Sequence, residues 1–456
     1  MTQIRDEAAT RLRPRLSGRT LLPDDPGYEE ARTLFNSMID RRPAVIAQCA
    51  DPTDVARAIE FGRGHDLEIA VRGGGHGVAG KALTEGGLVI DLSRMTTVTV
   101  DADARTARVA GGAIMSDLDR ATERYGLATT GGRVSTTGVG GFALGGGSGW
   151  LERRYGLACD NLLEVELVTA AGETVRANED DNPDLFWALH GGGGNFGVAT
   201  SLTFRLHPLS QVTVALLLWP PDRDVVTAYR DFMESAPDTV GGAAIYLTAP
   251  PEPFVPDDLV GRLTLVILIV HAGTGPDADD AIGPMTGLGH TGGLIAEMPY
   301  ADLQCMLDDP PGFRNYWSAE YVASLPDDAV DRFRARAPDM VVPSASQHIL
   351  FPLGGAVADT PADYPIPWRT ARWAVHPLGL WERPEDDERA IAWARGTLRD
   401  MRPWSTGAVY LNFIGNEGRD RVIAGLGTDN YDRLRQVKAQ YDPDNIFHLN
   451  HNIEPT

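Results

Sequence analysis

The first 208 residues alternate short apolar runs with helical patterns. The segment "EIAVRGGG" predicts a strand that runs into a glycine loop, and "GLVIDLS" and "TARVAGGA" predict two further strands. A helix is predicted in "DPTDVARAIEFGRGHDL", where Asp51 is placed to cap it, Pro52 takes the first helical position, and Val55, Ala58 and Ile59 share one face. This alternation favours an α+β or α/β sheet domain.

The pattern changes near residue 208, where glycine becomes scarcer. Apolar segments in "VTVALLLWP", "RLTLVILIVHAG", "SASQHILFPLGGAVA" and "ARWAVHPLGLW" alternate with long helical patterns. They predict a broad antiparallel sheet backed by helices. The last stretch, "DNYDRLRQVKAQYDPDNIFHLNHNI", predicts a helix with Leu434, Val437 and Tyr441 on its apolar face. Asp442 and Pro443 are expected to stop this helix before a polar tail.

Composition and charge narrow the possible function classes. The chain of 456 residues is long enough for two or three domains, and its net charge of −22 argues against general affinity for nucleic acid or anionic membranes. Its three cysteines are widely separated and have no C-x-x-C spacing, so we expect neither a disulfide framework nor a metal site. The N-terminus has no signal-peptide core, and the longest aliphatic run covers only residues 263–270. We therefore expect a cytoplasmic protein.

Three glycine clusters carry the strongest chemical signal. They are "VRGGGHGVAGKAL" at 71–83, "GVGGFALGGGSGWLERRYGLACDN" at 138–161 and "LHGGGGNFGVATSLTFRLHP" at 189–208. Neither a P-loop nor a G-x-G-x-x-G that opens a helix is present. Glycine lets the backbone approach a ligand closely, and free backbone N–H groups suit anionic oxygens. Turns and bulges explain one or two such clusters, so three of them indicate an extended ligand.

These clusters, with "NPDLFWALHGGGGNFGV" and the closing "YLNF … NYDRLRQVKAQYDPDNIFHLNHNI", resemble the berberine-bridge-enzyme-like FAD-linked oxidases of the vanillyl-alcohol oxidase superfamily. The resemblance covers the first and last segments closely and the middle loosely. It implies an α+β fold with a PCMH-type FAD-binding domain at 1–208. It also implies a substrate domain with a large antiparallel sheet backed by helices at 209–408, and a C-terminal segment at 409–456 that returns to the FAD domain.

The resemblance further implies an FAD cofactor held by a single covalent bond from His76 to the C8-methyl group of the flavin ring. The alternative is an untethered structural histidine. Family members with a second bond have cysteine where this chain has Val134, and valine cannot form a thioether. Many members have histidine at the position of Phe142, so a polar partner of the flavin is missing here. The residues that the resemblance places against FAD are Arg72, Gly73, Gly74, Gly75, His76, Gly77, Thr136, Thr137, Gly138, Gly141, Phe142, Gly145, Gly147, Tyr155, Asn161, Gly197, Val198, Tyr410, Asn450 and Asn452.

For catalysis, the Y-x-N motif of the family falls on Tyr410 and Asn412. A tyrosine beside the flavin can take a proton while hydride leaves, provided that neighbouring charge lowers its pKa from about 10. The alternative is a core tyrosine. Gln347 and His348 in "SQHILF" are further candidates, and they point to opposite faces of a strand, so at most one of them faces the flavin. Thr137 lies where oxygen approaches the flavin in related oxidases; an ordinary turn threonine is the alternative.

Additional candidates in the middle segment are His376, Trp368 and Tyr321, each of which packing would also explain. Their polar and aromatic character suits an aromatic or polyketide-like substrate. The expected function is an FAD-dependent oxidase that moves hydride from a small molecule to flavin N5 and reduces oxygen to hydrogen peroxide. Two alternatives stay open: a flavin-dependent oxygenase of the enterocin-pathway type, and a non-catalytic flavin-binding protein. We expect a monomer or homodimer without nucleic-acid or membrane partners.

Overall fold

The computed structural model describes residues 2–221, 223–309, 311–360 and 363–456. Within these ranges, no helix combines the length and the apolar character that crossing a membrane requires. The strands before residue 209 are β1 (Arg19–Leu21), β2 (Val45–Gln48), β3 (Ile69–Arg72), β4 (Leu88–Asp91), β5 (Val98–Asp101), β6 (Thr106–Ala110), β7 (Leu127–Ala128), β8 (Leu162–Val168), β9 (Thr174–Ala177), β10 (Val198–Arg205) and β11 (His207–Pro208).

The helices of this part of the chain are α1 (Thr2–Glu7), α2 (Tyr28–Ala31), α3 (Pro52–Gly64), α4 (Met115–Glu123), α5 (Val139–Leu144), α6 (Glu152–Tyr155) and α7 (Pro183–Ala188). The predicted cap of α3 is present, because the Asp51 side chain accepts a hydrogen bond from the backbone N–H of Asp54 at 3.0 Å. The predicted strands in "EIAVRGGG", "GLVIDLS" and "TARVAGGA" are β3, β4 and β6.

These strands form two main sheets. A four-stranded sheet has the order β1-β2-β4-β3, in which β2, β4 and β3 run parallel. A five-stranded antiparallel sheet has the order β5-β6-β10-β8-β9. The glycine loop that carries His76 leaves the first sheet at Arg72, the last residue of β3. The loop is therefore fixed at one end by a parallel strand.

A third sheet has eight antiparallel strands in the order β15-β12-β14-β13-β18-β19-β16, with β17 also paired to β19. Its strands are β12 (Gln211–Trp219), β13 (Val240–Thr248), β14 (Leu263–His271), β15 (Gly292–Pro299), β16 (Arg314–Trp317), β17 (Glu320–Val322), β18 (Gln347–Pro352) and β19 (Trp373–Trp381). The helices that follow β12 along the chain are α8 (Arg223–Ser235), α9 (Pro276–Thr286), α10 (Tyr300–Leu303), α11 (Asp327–Ala335), α12 (Ala356–Asp359) and α13 (Asp387–Met401).

Both faces of this third sheet are covered, which explains why its strands read as continuous apolar runs. In β14, Leu265, Ile267 and Ile269 belong to the apolar cluster that contains residues of α8, α9, α11 and α13. The alternate residues Val266 and Leu268 belong to the cluster that includes the five-stranded sheet of the first region. One face of the sheet is thus backed by helices and the other meets the region of the glycine loops.

The chain closes with α14 (Arg419–Leu426) and α15 (Thr428–Tyr441). The predicted stripe of α15 is largely confirmed, since Leu434 and Val437 are buried and Tyr441 is half-buried. The helix ends at Tyr441, directly before Asp442. The tail beyond it packs back against the first region, as the hydrogen bonds described below show.

Candidate active site

A cavity of about 420 Å³ opens where the glycine loops, the third sheet and the C-terminal tail meet. The first glycine loop contributes residues 73–77, and the third cluster contributes residues 191–195 and Gly197. The helix α5 and the turn before it contribute residues 137–138, 140–142 and 144–145. The sheet contributes residues of β13, β18 and β19, and the tail contributes residues 410–414, Phe447 and 449–451. A site built from such distant segments is a pocket of the size and shape that binds small molecules and cofactors.

His76 is held in one orientation at the cavity wall. Its ring stacks on Phe35 with centroids 4.2 Å apart, and its Nε2 lies 2.8 Å from the hydroxyl of Thr136. Burial lowers the pKa of His76 to about 4, with the charge of Asp308 opposing the shift. The imidazole is therefore neutral at physiological pH. Its second nitrogen, Nδ1, has no hydrogen-bond partner in the part of the chain that the structure describes.

Tyr410 and Asn412 meet over the second glycine cluster. The backbone N–H of Gly147 donates to the Tyr410 hydroxyl at 2.9 Å, and the Asn412 amide donates to it at 2.8 Å. The same amide also donates to the carbonyl of Phe142 at 3.1 Å, which fixes its orientation. A Cβ at Gly145 would lie 2.4 Å from the Oδ1 of Asn412, so a side chain there would displace the Asn412 amide. Burial raises the pKa of Tyr410, and the two hydrogen bonds oppose that shift.

Strand β18 forms part of the cavity wall, and its side chains alternate between the two faces of the sheet as predicted. Only one of the two predicted candidates on this strand therefore faces the cavity. Gln347, Ile349 and Phe351 line the cavity. His348 points to the opposite face, where its ring stacks 4.0 Å from Phe333 and its Nε2 lies 2.8 Å from the Phe333 carbonyl. His348 is fully buried there among the helices that back the sheet, so it cannot reach a ligand in the cavity.

On the next strand, His376 does line the cavity. Its Nδ1 lies 2.9 Å from the carbonyl of Ser318, so this nitrogen carries the proton. Burial lowers the pKa of His376 to about 4, and the ring is therefore neutral with an unprotonated Nε2. The ring stacks on Phe413 with centroids 4.2 Å apart. His376 is thus a hydrogen-bond acceptor close to the Y-x-N segment.

Asn195 and Lys438 anchor the tail that forms another wall. The Asn195 amide donates to the carbonyls of Gly192 at 2.7 Å and His451 at 3.2 Å, and its Oδ1 accepts from the N–H of Ile453 at 2.9 Å. Lys438 donates to the Asn195 carbonyl at 2.6 Å. These bonds tie the third glycine cluster to the segment that carries Asn450.

Most of the residues that the sequence placed at the site line the cavity. They are Gly73, Gly74, Gly75, His76, Gly77, Thr137, Gly138, Gly141, Phe142, Gly145, Gly197, Gln347, Tyr410, Asn412 and Asn450. Thr136 and Gly147 lie behind this wall and hold His76 and Tyr410 by hydrogen bonds.

The remaining predicted residues do not line the cavity. Arg72 donates to the carbonyl of Ala31, and Asn452 has a buried Oδ1 without a partner among the described residues. The ring of Tyr155 stacks on the ring of His207 with centroids 4.1 Å apart, and the Oδ1 of Asn161 lies 2.6 Å from the Nε2 of His207. Tyr155, Asn161 and Val198, which is buried in the core, thus do not line the cavity as the resemblance implied.

Sequence reasoning missed three charged residues of the cavity: Arg133, Asp309 and Lys81. Arg133 forms an ion pair with the buried Glu152, with Nη2 and Oε1 3.0 Å apart. The guanidinium carbon of Arg133 lies 4.0 Å from the centre of the Phe351 ring. Lys81 follows directly on the first glycine loop, a position that could have indicated an anion contact. Nothing in the local sequence around Asp309 indicates a site.

Comparisons with known proteins identify the family of this chain. Residues 43–178 match the FAD binding domain family, and residues 409–454 match the berberine and berberine-like family. The uncharacterized FAD-linked oxidoreductase YgaK of Bacillus subtilis is 32% identical over 97% of this chain and 98% of its own length. (R)-6-hydroxynicotine oxidase of Paenarthrobacter nicotinovorans is 30% identical over 96% of this chain and 97% of its own.

The crystal structure of 6-hydroxy-D-nicotine oxidase from Arthrobacter nicotinovorans matches this fold with a TM-score of 0.86 at 28% identity, covering 98% of this chain and 100% of that one. The protein is an FAD-dependent oxidoreductase. It belongs to the berberine-bridge-enzyme-like FAD-linked oxidoreductases, and its predicted α+β fold is confirmed.

The groups that line the cavity are chemically suited to bind FAD. None of the backbone N–H groups from Gly74 to Gly77 donates a hydrogen bond within the described residues, so they are free for a pyrophosphate. Lys81 lines the same cavity, and a Cβ at Gly77, Gly141 or Gly194 would meet only open space. The buried Oδ1 of Asn450 has no partner among the described residues and could accept from a ligand N–H or hydroxyl.

Proposed function

We propose that this chain is a cytoplasmic oxidase that holds FAD through a single covalent bond to His76, oxidises a small aromatic substrate and passes the electrons to oxygen, forming hydrogen peroxide. Bound FAD supplies the two-electron acceptor for the substrate hydride. The observation that carries this proposal is the environment of His76: a neutral, oriented imidazole at the end of a glycine loop with free N–H groups.

The protein prepares His76 for bond formation. Phe35 fixes the ring plane, and in the neutral tautomer in which Nε2 donates its proton to Thr136, the lone pair of Nδ1 is available as the nucleophile. Val134 lines the same cavity but has no nucleophilic atom. A single bond through His76 is the arrangement that these side chains support.

Tyr410 is the residue placed to handle the substrate proton. Its oxygen accepts from Gly147 and Asn412, so its own O–H is free to interact with a substrate in the cavity. The two donors stabilise negative charge on the phenolic oxygen and so assist deprotonation against the effect of burial. His376, with its unprotonated Nε2, offers a second acceptor for a substrate N–H or hydroxyl.

The aromatic walls support a ring-shaped, aromatic or polyketide-like substrate. Trp150, Trp317, Phe351 and Phe413 line the cavity and make its wall largely aromatic. The oxidase names of the relatives support oxygen as the electron acceptor. An oxygenase is the second candidate, since Thr137 brings a hydroxyl to the cavity wall.

The test is an anaerobic titration of the flavoprotein with candidate substrates, followed by admission of oxygen. We expect a substrate to bleach the flavin absorbance and oxygen to restore it with one hydrogen peroxide per substrate oxidised. Isotopically labelled oxygen that appears in the product would make the protein an oxygenase. A flavin that no candidate substrate bleaches, while dithionite does, would favour a non-catalytic flavin-binding protein.

A further inference from the structure

Among the described residues, Asp309 alone brings a carboxylate to the wall of the active-site cavity. It follows α10, next to Asp308. Asp308 accepts a hydrogen bond from the backbone N–H of Ser135 at 2.7 Å and another from the Ser135 hydroxyl. Ser135 precedes the threonine that holds His76, and Asp308 acts on the pKa of His76. Asp309 therefore enters the cavity on the side of His76.

The carboxylate of Asp309 has no cationic partner in the described part of the chain. Burial, together with the smaller effect of the neighbouring charge of Asp308, raises the pKa of Asp309 to about 7, and no hydrogen bond or cation acts in the opposite direction. A carboxylate in such a place is stabilised when a ligand supplies the missing positive charge or hydrogen bond.

The other charged groups of the cavity do not neutralise it. Arg133 is paired with Glu152 at 3.0 Å, and Lys81 lies beside the tail, where it acts on the pKa of His451. The three histidines of the cavity are neutral, because burial lowers the pKa of each to about 4: His76, His376 and His451. Asp309 is thus left without a counter-charge among the described residues.

We propose that Asp309 is a specificity-determining residue that binds a protonated nitrogen, so that the substrates are ring compounds that carry a basic amine. This rests on the proposed oxidase function and narrows its substrate class. Trp317 lines the same cavity, and aromatic rings attract cations. The net charge of −22 also favours the approach of cations over anions.

The test measures binding rather than turnover. The oxidised flavoprotein is titrated with 2-phenylethylamine, tryptamine and 2-(1-naphthyl)ethylamine, and with the matching alcohols, and binding is followed by the change in the flavin spectrum. We expect the amines to bind about 10-fold to 100-fold more tightly than the alcohols, as for a hydrogen bond between charged groups. Asp309→Asn should remove this preference while the alcohol affinities stay unchanged.

Asp280→Asn is the matched control, because it removes the same charge from an exposed position of α9 and should leave amine binding unchanged. Amine affinity in the wild type should rise as the pH passes upward through about 7, where Asp309 loses its proton while the amine keeps its own. This rise should be absent in Asp309→Asn.

Alcohols that bind as tightly as amines, amines that bind Asp309→Asn as well as the wild type, or no spectral change with any amine would overturn the assignment. These outcomes are separate from the oxidase proposal, which depends on bleaching and peroxide formation with any substrate. A protein that prefers amines but never bleaches would fail as an oxidase and still support the role of Asp309.

Discussion

Two hydrogen bonds that end on the phenolic oxygen of Tyr410 determine how this residue can act. Tyr410→Phe should slow anaerobic flavin reduction by roughly 100-fold to 10,000-fold, because proton transfer from the substrate loses its acceptor. It also leaves the Gly147 N–H and one N–H of the Asn412 amide without an acceptor, which should cost about 1–3 kcal/mol of stability. Stopped-flow reduction and thermal unfolding measure the two effects.

The pH profile tests the role of Tyr410 separately from its packing. Since burial raises the Tyr410 pKa, the phenolate fraction and the reduction rate should still be rising at about pH 10, and Tyr410→Phe should lose this rise. Tyr321→Phe is the control, because Tyr321 also packs on Trp368 but does not line the cavity, and its buried hydroxyl has no hydrogen-bond partner among the described residues. A Tyr410→Phe variant that is reduced as fast as Tyr321→Phe would move the proton acceptor to His376.

At the scale of the residue, physical reasons explain which residues of the cavity the sequence could predict and which it could not. The period of a strand placed Gln347 and His348 on opposite faces, but the backbone pattern cannot say which face meets the cavity. Here the side with Gln347 does, because α11 and α13 cover His348. Asp309 had no local signal, since its position follows from the docking of Asp308 on Ser135, far away in the sequence.

At the scale of the element, α15 also holds the C-terminal tail in place. The sequence predicted its apolar stripe and its end, but its fully buried ion pair has no hydrophobic signature. Lys438 lies 2.7 Å from Asp442, both side chains are inaccessible to solvent, and Lys438 also donates to the carbonyl of Phe447 at 3.0 Å. Asp442 in turn accepts from the N–H groups of Ile446 and Phe447 at 2.7 and 2.8 Å.

Lys438→Met should therefore destabilise the protein by about 3–5 kcal/mol, since it leaves the charge of Asp442 buried and unpaired. We expect the loosened tail, which carries Asn450, to be cleaved faster by carboxypeptidase and limited proteolysis. Gln436→Met, on the exposed face of the same helix, is the control and should leave both the melting temperature and the cleavage rate unchanged. A Lys438→Met variant as stable as the control would show that the pair contributes no net stability.

At the scale of the whole molecule, the cavity lies where three segments that are distant in the sequence meet. Apolar alternation predicted the strands of the third sheet, and the resemblance predicted the FAD region and the returning tail. The face of the sheet that closes the cavity, and the contacts of Asn195 with the tail, depend on packing between these segments and have no pattern in any one of them.

A cofactor bound between all three segments should stabilise the whole fold, and a covalent bond changes how that stability depends on concentration. Acid-precipitated wild type should keep its yellow colour in the pellet, and its melting temperature should not respond to added FAD. His76→Ala should release its FAD in acid, and each 10-fold increase of free FAD above its dissociation constant should add about 1.4 kcal/mol to the stability of this variant. Thr33→Ala, at a largely exposed threonine outside the cavity, serves as the control and should behave as the wild type. A wild type that releases its flavin in acid and whose melting temperature rises with free FAD would show that His76 binds the cofactor without a covalent bond.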